Sequence, residues 1–136
     1  MALPSALPLR IASLVAFVEG AAFTAYAIYV LIEVARFGIT GPSAVSSVQS
    51  VTLEIVIFAV FGIGLLLAGW GLWRARRWGR APAVLGQLLG LVVGVPLVSA
   101  TGSIERFVGI VIVVLAVVSL VCLFLPSTTR SLLGEE

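Results

Sequence analysis

The stretch Gly69-Trp70-Gly71-Leu72-Trp73-Arg74-Ala75-Arg76-Arg77-Trp78-Gly79-Arg80-Ala81-Pro82 decides the fold. A membrane-spanning helix needs about 20 predominantly apolar residues, because each residue rises about 1.5 Å and the hydrocarbon core is about 30 Å thick. Upstream of the arginines, Ile55 to Trp73 meets that requirement without a single charge, and downstream Ala81 to Ala100 does the same. Interleaved Trp and Arg between two such runs mark a short turn at a membrane–water interface, so the flanking spans run antiparallel.

Further out, Phe107 to Leu125 supplies another span, and Ile11 to Ile32 supplies the first, interrupted only by Glu19. The sequence therefore predicts an all-α polytopic membrane protein, a compact four-helix transmembrane bundle forming one domain over residues 1–136. Composition agrees: 61% of residues are hydrophobic and 10% charged, against about 25% charged in a soluble domain. The first span reads as uncleaved, since its positive start is a lone Arg10 and Glu19 falls where the apolar core of a signal peptide would continue. Between spans one and two, Gly38, Gly41, Pro42 and the serines Ser43, Ser46, Ser47 and Ser50 form a longer connection, with Pro42 a start signal for a helix that enters span two early. Pro126 is expected to stop the last helix and leave a short tail ending in solvated Glu135 and Glu136.

With four spans, both termini share a side. On it lie Arg10, Arg74, Arg76, Arg77, Arg80 and Arg130, while only Arg36 and Arg106 lie opposite. The positive-inside rule puts the termini and the Arg74–Arg80 turn in the cytoplasm. The residue usage, rich in Ala, Gly, Val, Leu and Arg, suggests a bacterial plasma membrane.

The missing letters exclude whole chemistries. The chain has no Lys, Asp, His or Asn. It therefore lacks the usual zinc and haem ligands, the Ser-His-Asp and Cys-His nucleophiles, the Walker A loop and a Schiff-base lysine. Cys122 is the only cysteine, which excludes an intramolecular disulfide. No enzyme, metal or cofactor is expected. A net charge of +2 carried by scattered arginines also speaks against nucleic acid as a partner.

Glu19 is the most informative residue. It follows Arg10 by nine positions, which places it about 13 Å deep and near the bilayer midplane. Apolar surroundings disfavour a carboxylate's charged form, so Glu19 must find hydrogen-bonding company. Gln87, at comparable depth in span three, is the natural partner. Ala12, Ala16, Glu19, Phe23, Tyr26, Val30 and Glu33 recur at alternating spacings of three and four, placing Glu19, Tyr26 and Glu33 on one stripe of the first helix, which makes Glu19, Tyr26 and Gln87 either a proton or cation site or an interhelical hydrogen bond. At the outer end Glu33, Arg36, Glu54, Glu105 and Arg106 are candidates for an interfacial charge cluster, solvated or serving as a cation entrance.

Gly86, Gly90 and Gly94 form a small-residue ridge that lets another helix approach closely, within the monomer or in a dimer. Pro96 in the same span should kink it. The belt Trp70, Trp73, Arg74, Arg76, Arg77, Trp78 and Arg80 either anchors topology or binds anionic lipid headgroups or an acidic partner.

The run from Gly69 to Pro82, followed by Leu85, Gly86, Gln87 and Leu88, together with Pro126 to Arg130, resembles small four-span integral membrane proteins common in actinobacteria. The resemblance implies fold and location and carries no catalytic residues. A second resemblance, by analogy only, is to the small multidrug resistance exporters, which have similar length, four spans and one membrane-embedded glutamate in the first span for proton-coupled cation export. Glu19 matches that element. The aromatic pattern of their third span is absent from Ala81 to Ala100, and the arginine bias here exceeds that of their dual-topology members.

The leading expectation is a non-enzymatic accessory, assembly or structural subunit acting through helix packing, in a larger membrane complex or a homo-oligomer. The alternatives are a proton- or cation-coupled transporter or channel using Glu19, and an anionic-lipid-binding membrane module.

Overall fold

The computed structural model describes residues 3–40 and 47–134. Its elements are α1 (Leu3–Phe37), α2 (Val48–Trp73), a single 3₁₀ turn (Arg77–Gly79), α3 (Arg80–Val98), α4 (Ser103–Phe124) and α5 (Pro126–Leu133). Four helical segments, Leu7–Phe37, Val48–Trp73, Arg77–Val98 and Ser103–Phe124, are long and apolar enough to cross a membrane. The chain is a multi-pass helical membrane protein, and the all-α four-helix architecture expected from the apolar runs is the one observed.

Local chemistry fixes the helix ends. Ser47 caps α2, its hydroxyl accepting from the Ser50 amide at 3.1 Å, which satisfies one of the amides a helix start leaves without a partner. At the other end the Arg76 amide donates to the Gly71 carbonyl at 2.7 Å and the Ala75 amide to the Leu72 carbonyl at 2.9 Å. That is the paired closure of a Schellman motif. It needs a left-handed residue, and here Ala75 takes that role with φ 52°.

The four long helices run up, down, up and down, as two hairpins, α1 with α2 and α3 with α4. Each hairpin packs closely within itself and more sparingly against the other. In the first hairpin, a Cβ on Gly20 would lie 2.8 Å from the Gly62 carbonyl oxygen, and one on Gly62 would lie 2.7 Å from the Thr24 amide. These two glycines allow the α1 and α2 backbones to touch. In the second hairpin Gly94 meets Ile112 and Val113, and Gly109 meets Leu97 and Val98.

Among the described residues, the buried cluster lies at one end. Leu9 and Ala12 of α1, Ala68 and Leu72 of α2, Ala83 of α3, Cys122 and Leu123 of α4, and Leu132 of α5 meet there. This is the end that carries the Arg74–Arg80 turn. Toward the other end the hairpins part around an apolar crevice of about 210 Å³, lined by Phe23, Phe58, Phe61, Leu65, Leu89 and Val93 among others.

Several boundaries differ from those read off the sequence. The first helix starts at Leu3 rather than Ile11, because Pro4 falls in its first turn, where a missing amide costs nothing. Pro126 does stop α4, with Leu125 extended at φ −64° and ψ 142°, yet it also opens α5 as its first residue. The expected tail is therefore largely a helix. It is held to α4 by a hydrogen bond from the Thr128 hydroxyl to the Cys122 carbonyl at 2.5 Å and packs on α1 as well. Pro96 lies in the last turn of α3. The expected Gly41-Pro42 helix start, with Ser43 and Ser46, and the Glu135-Glu136 end lie outside the described residues.

Candidate functional site

Gln87 of α3 and Glu19 of α1 meet between the two hairpins, with the Gln87 side-chain amide donating to Glu19 Oε2. Gln87 is fully buried and Glu19 half-buried. The depth argument that paired them is realised in the geometry: each lies two or more turns below the arginine-rich end on its own helix. Gln87 Oε1 has no hydrogen-bond partner among the described residues, and neither does the buried hydroxyl of Ser119.

The two orphaned oxygens lie at one level. In α3 and α4 Gly90 faces Ala116 and Gly94 faces Ile112, and the same antiparallel register sets Gln87 opposite Ser119. Gly86 faces Leu65 of α2, so this layer draws on all four spans. Sequence reasoning does not single out Ser119. A signal was there, since Ser119 is as far from the arginine-rich end of α4 as Gln87 is from that of α3.

Tyr26 does not join Glu19. Its hydroxyl donates to Glu54 Oε1 of α2 at 2.7 Å, and its ring packs on Phe58 with centroids 4.7 Å apart. Phe23 lies on the same Phe58 at 5.6 Å. These three rings stand between Glu19 and the outer depression, which Tyr26, Tyr29, Glu33, Thr40 and Glu54 help to line. The sequence stripe that grouped Tyr26 with Glu19 is thus divided, because α2 intercepts the tyrosine.

The outer charge cluster also divides. Glu33 and Glu54 share the outer depression, but Arg36 lies over the Phe37 ring at 5.8 Å and Arg106 donates to the Ala100 carbonyl at 3.1 Å. Glu105 and Arg106 sit on the α4 start, away from that depression, and no ion pair forms among these described residues. The glycine ridge is used inside the monomer: Gly86 packs on α2, whereas Gly90 and Gly94 pack on α4.

The Trp and Arg belt splits into two groups. Arg74 lies 5.0 Å from the Trp70 ring and Arg10 lies 5.5 Å from the Trp73 ring, so both stack around α2. Arg77 and Arg80 turn instead toward α5: Arg77 Nε donates to the Leu132 carbonyl at 3.2 Å and Arg80 Nη1 to the Thr129 hydroxyl at 3.4 Å. Arg76 is exposed, and Trp78 packs beside Trp70 with centroids 6.4 Å apart.

No family model, curated protein or solved structure matches the chain. Other side-chain hydrogen bonds of the spanning helices also end on helix backbone, with Ser13 donating to the Gly69 carbonyl at 2.7 Å and Thr24 to the Gly20 carbonyl at 2.8 Å.

Proposed function

We propose that the protein is a non-enzymatic accessory subunit of a larger membrane complex, acting by helix packing. The observation that carries this reading is where its intramembrane polar groups go. Gln87 bonds Glu19, Tyr26 bonds Glu54 and Ser13 bonds a helix carbonyl. Polar groups in hydrocarbon are costly unless satisfied, and such bonds fasten helices together. What remains outward is mostly apolar side chain, suited to lipid and to other helices. The crevice between the hairpins is apolar too, and Glu19 is not among the residues that line it.

On this reading the protein sits in a bacterial plasma membrane with both termini cytoplasmic. The support is the bias of Arg10, Arg74, Arg76, Arg77, Arg80 and Arg130 to one end. The test is affinity isolation from native membranes in a mild detergent, with the mass of the intact assembly and identification of its components. Stoichiometric foreign subunits are the expected result. A protein recovered alone, as monomer or homo-oligomer, would overturn the accessory role.

A second reading has an observation of its own. Gln87 Oε1 and the Ser119 hydroxyl stand unpartnered at the level of Glu19, which is the donor set a proton or small cation would use. Under that reading Glu19→Gln abolishes proton flux into liposomes reconstituted with the purified protein. Flux that is absent from the wild type, or unchanged in the variant, sinks it.

A further inference from the structure

We propose that Arg77 and Arg80 form a site for one anionic phospholipid, its phosphate on the two guanidinium groups and an acyl chain lying along α3. This inference stands apart from the accessory role, since a protein that works alone would need the same lipid contact. Both arginines line one shallow depression, whose floor is Ala81, Val84, Leu85 and Leu88. Among the described residues no acidic side chain lines it.

The belt's other arginines are disposed differently. Arg10 and Arg74 lie over tryptophan rings. Arg77 and Arg80 are held from behind by α5, through the Leu132 carbonyl and the Thr129 hydroxyl, and Arg80 also lies over the Phe124 ring at 5.3 Å. A guanidinium carries five N–H donors in a fixed fork, so one bond to α5 orients each group and leaves others free for phosphate oxygens. Thr129 accepts from Arg80 and keeps its own hydroxyl proton to donate. Groups oriented before the ligand arrives lose less freedom on binding.

The apolar floor selects an amphiphile over a soluble anion. Leu88 lies two turns below Arg80, about 12 Å along the helix, and Leu85 and Leu88 are both exposed. A free phosphate would leave that floor unused. A phospholipid matches charge at the interface and hydrocarbon beneath it, and the anionic lipids of a cytoplasmic leaflet meet the arginine-rich end of the bundle.

The experiment is native mass measurement of the full chain titrated with phosphatidylglycerol, phosphatidylcholine or inorganic phosphate. One phosphatidylglycerol should stay bound, and phosphatidylcholine should not. Replacing both arginines (Arg77→Gln with Arg80→Gln) should weaken retention about 30-fold, while removing the same charge nearby (Arg74→Gln with Arg76→Gln) should weaken it less than about threefold. Equal losses in the two pairs would overturn the site in favour of diffuse attraction to the whole belt. Displacement by inorganic phosphate would overturn the lipid assignment. Because the arginines also hold α5, the unaltered protein provides a second measurement, photocrosslinking by phosphatidylglycerol with a diazirine in its acyl chain. Label concentrated on residues 84–88 is expected. Label spread evenly over the outward faces of all four spans would refute the proposal.

Discussion

At the arginine-rich end Leu72 and Leu123 are fully buried, whereas at the far end Ile104 is 75% exposed. Both ends are built from the same apolar alphabet. In water the more hydrophobic end would close, but lipid tails are as apolar as leucine, so closure depends on shape and hydrogen bonds instead. One end has them: Ala12, Ala68 and Ala83 let the helices converge, and α5 ties across their ends through Thr128 and Leu132. The other end has Tyr26 bonded to Glu54 within one hairpin. Among the described residues, nothing comparable reaches across to α3 and α4 there.

The sharpest way to break this contrast is a pair of truncations. Leu72→Ala should destabilise the bundle by about 3 kcal/mol, and Ile104→Ala by no more than about 0.5 kcal/mol, measured by denaturant unfolding in detergent micelles. Similar losses at the two positions would mean that the far end is packed after all. A double-mutant cycle on Glu19→Leu and Gln87→Leu tests the bond joining the hairpins, with an expected coupling of about 1 kcal/mol. A coupling of zero would leave the hairpins joined at the arginine-rich end alone.

Thr128→Val should cost about 1 kcal/mol and expose α5 to protease, against about 0.5 kcal/mol for Tyr26→Phe at the exposed far end. The smallest effect is a gain. Ala75→Gly relieves the left-handed backbone of the turn, and should raise stability by about 0.5 kcal/mol after the extra freedom glycine gives the unfolded chain. A loss there would show that the Ala75 methyl group makes contacts that offset its strained φ.

The four spans were legible because length and apolarity are local properties, and the arginines measured depth from a common surface. That is why Glu19 and Gln87 could be paired without knowing how the helices pack. The stripe does not place Tyr26, because its partner depends on the register of α1 against α2. That register is set by the close approach at Gly20 and Gly62, and no ruler within either helix reports it. The α5 helix is hard to read from the sequence because Pro126 serves equally well as the stop of one helix and the first residue of another. Thr128 and Leu132, four apart on one face, and Gly134 just beyond the end with φ 71° were the signs that favoured the second. The division of the belt was illegible for a related reason, since the partners of Arg77 and Arg80 lie on that same helix.

The position of α5 also sets an order of assembly during synthesis. The α1–α2 hairpin holds its contacts within itself, so it can form once the second span has entered the bilayer. Leu9 and Leu132 share one buried cluster, although Leu132 is made only after the residues of all four spans have been joined. The arginine-rich end therefore stays unsealed through most of translation, and a chain that stopped before Pro126 would insert its spans with the first helix still missing its last neighbour.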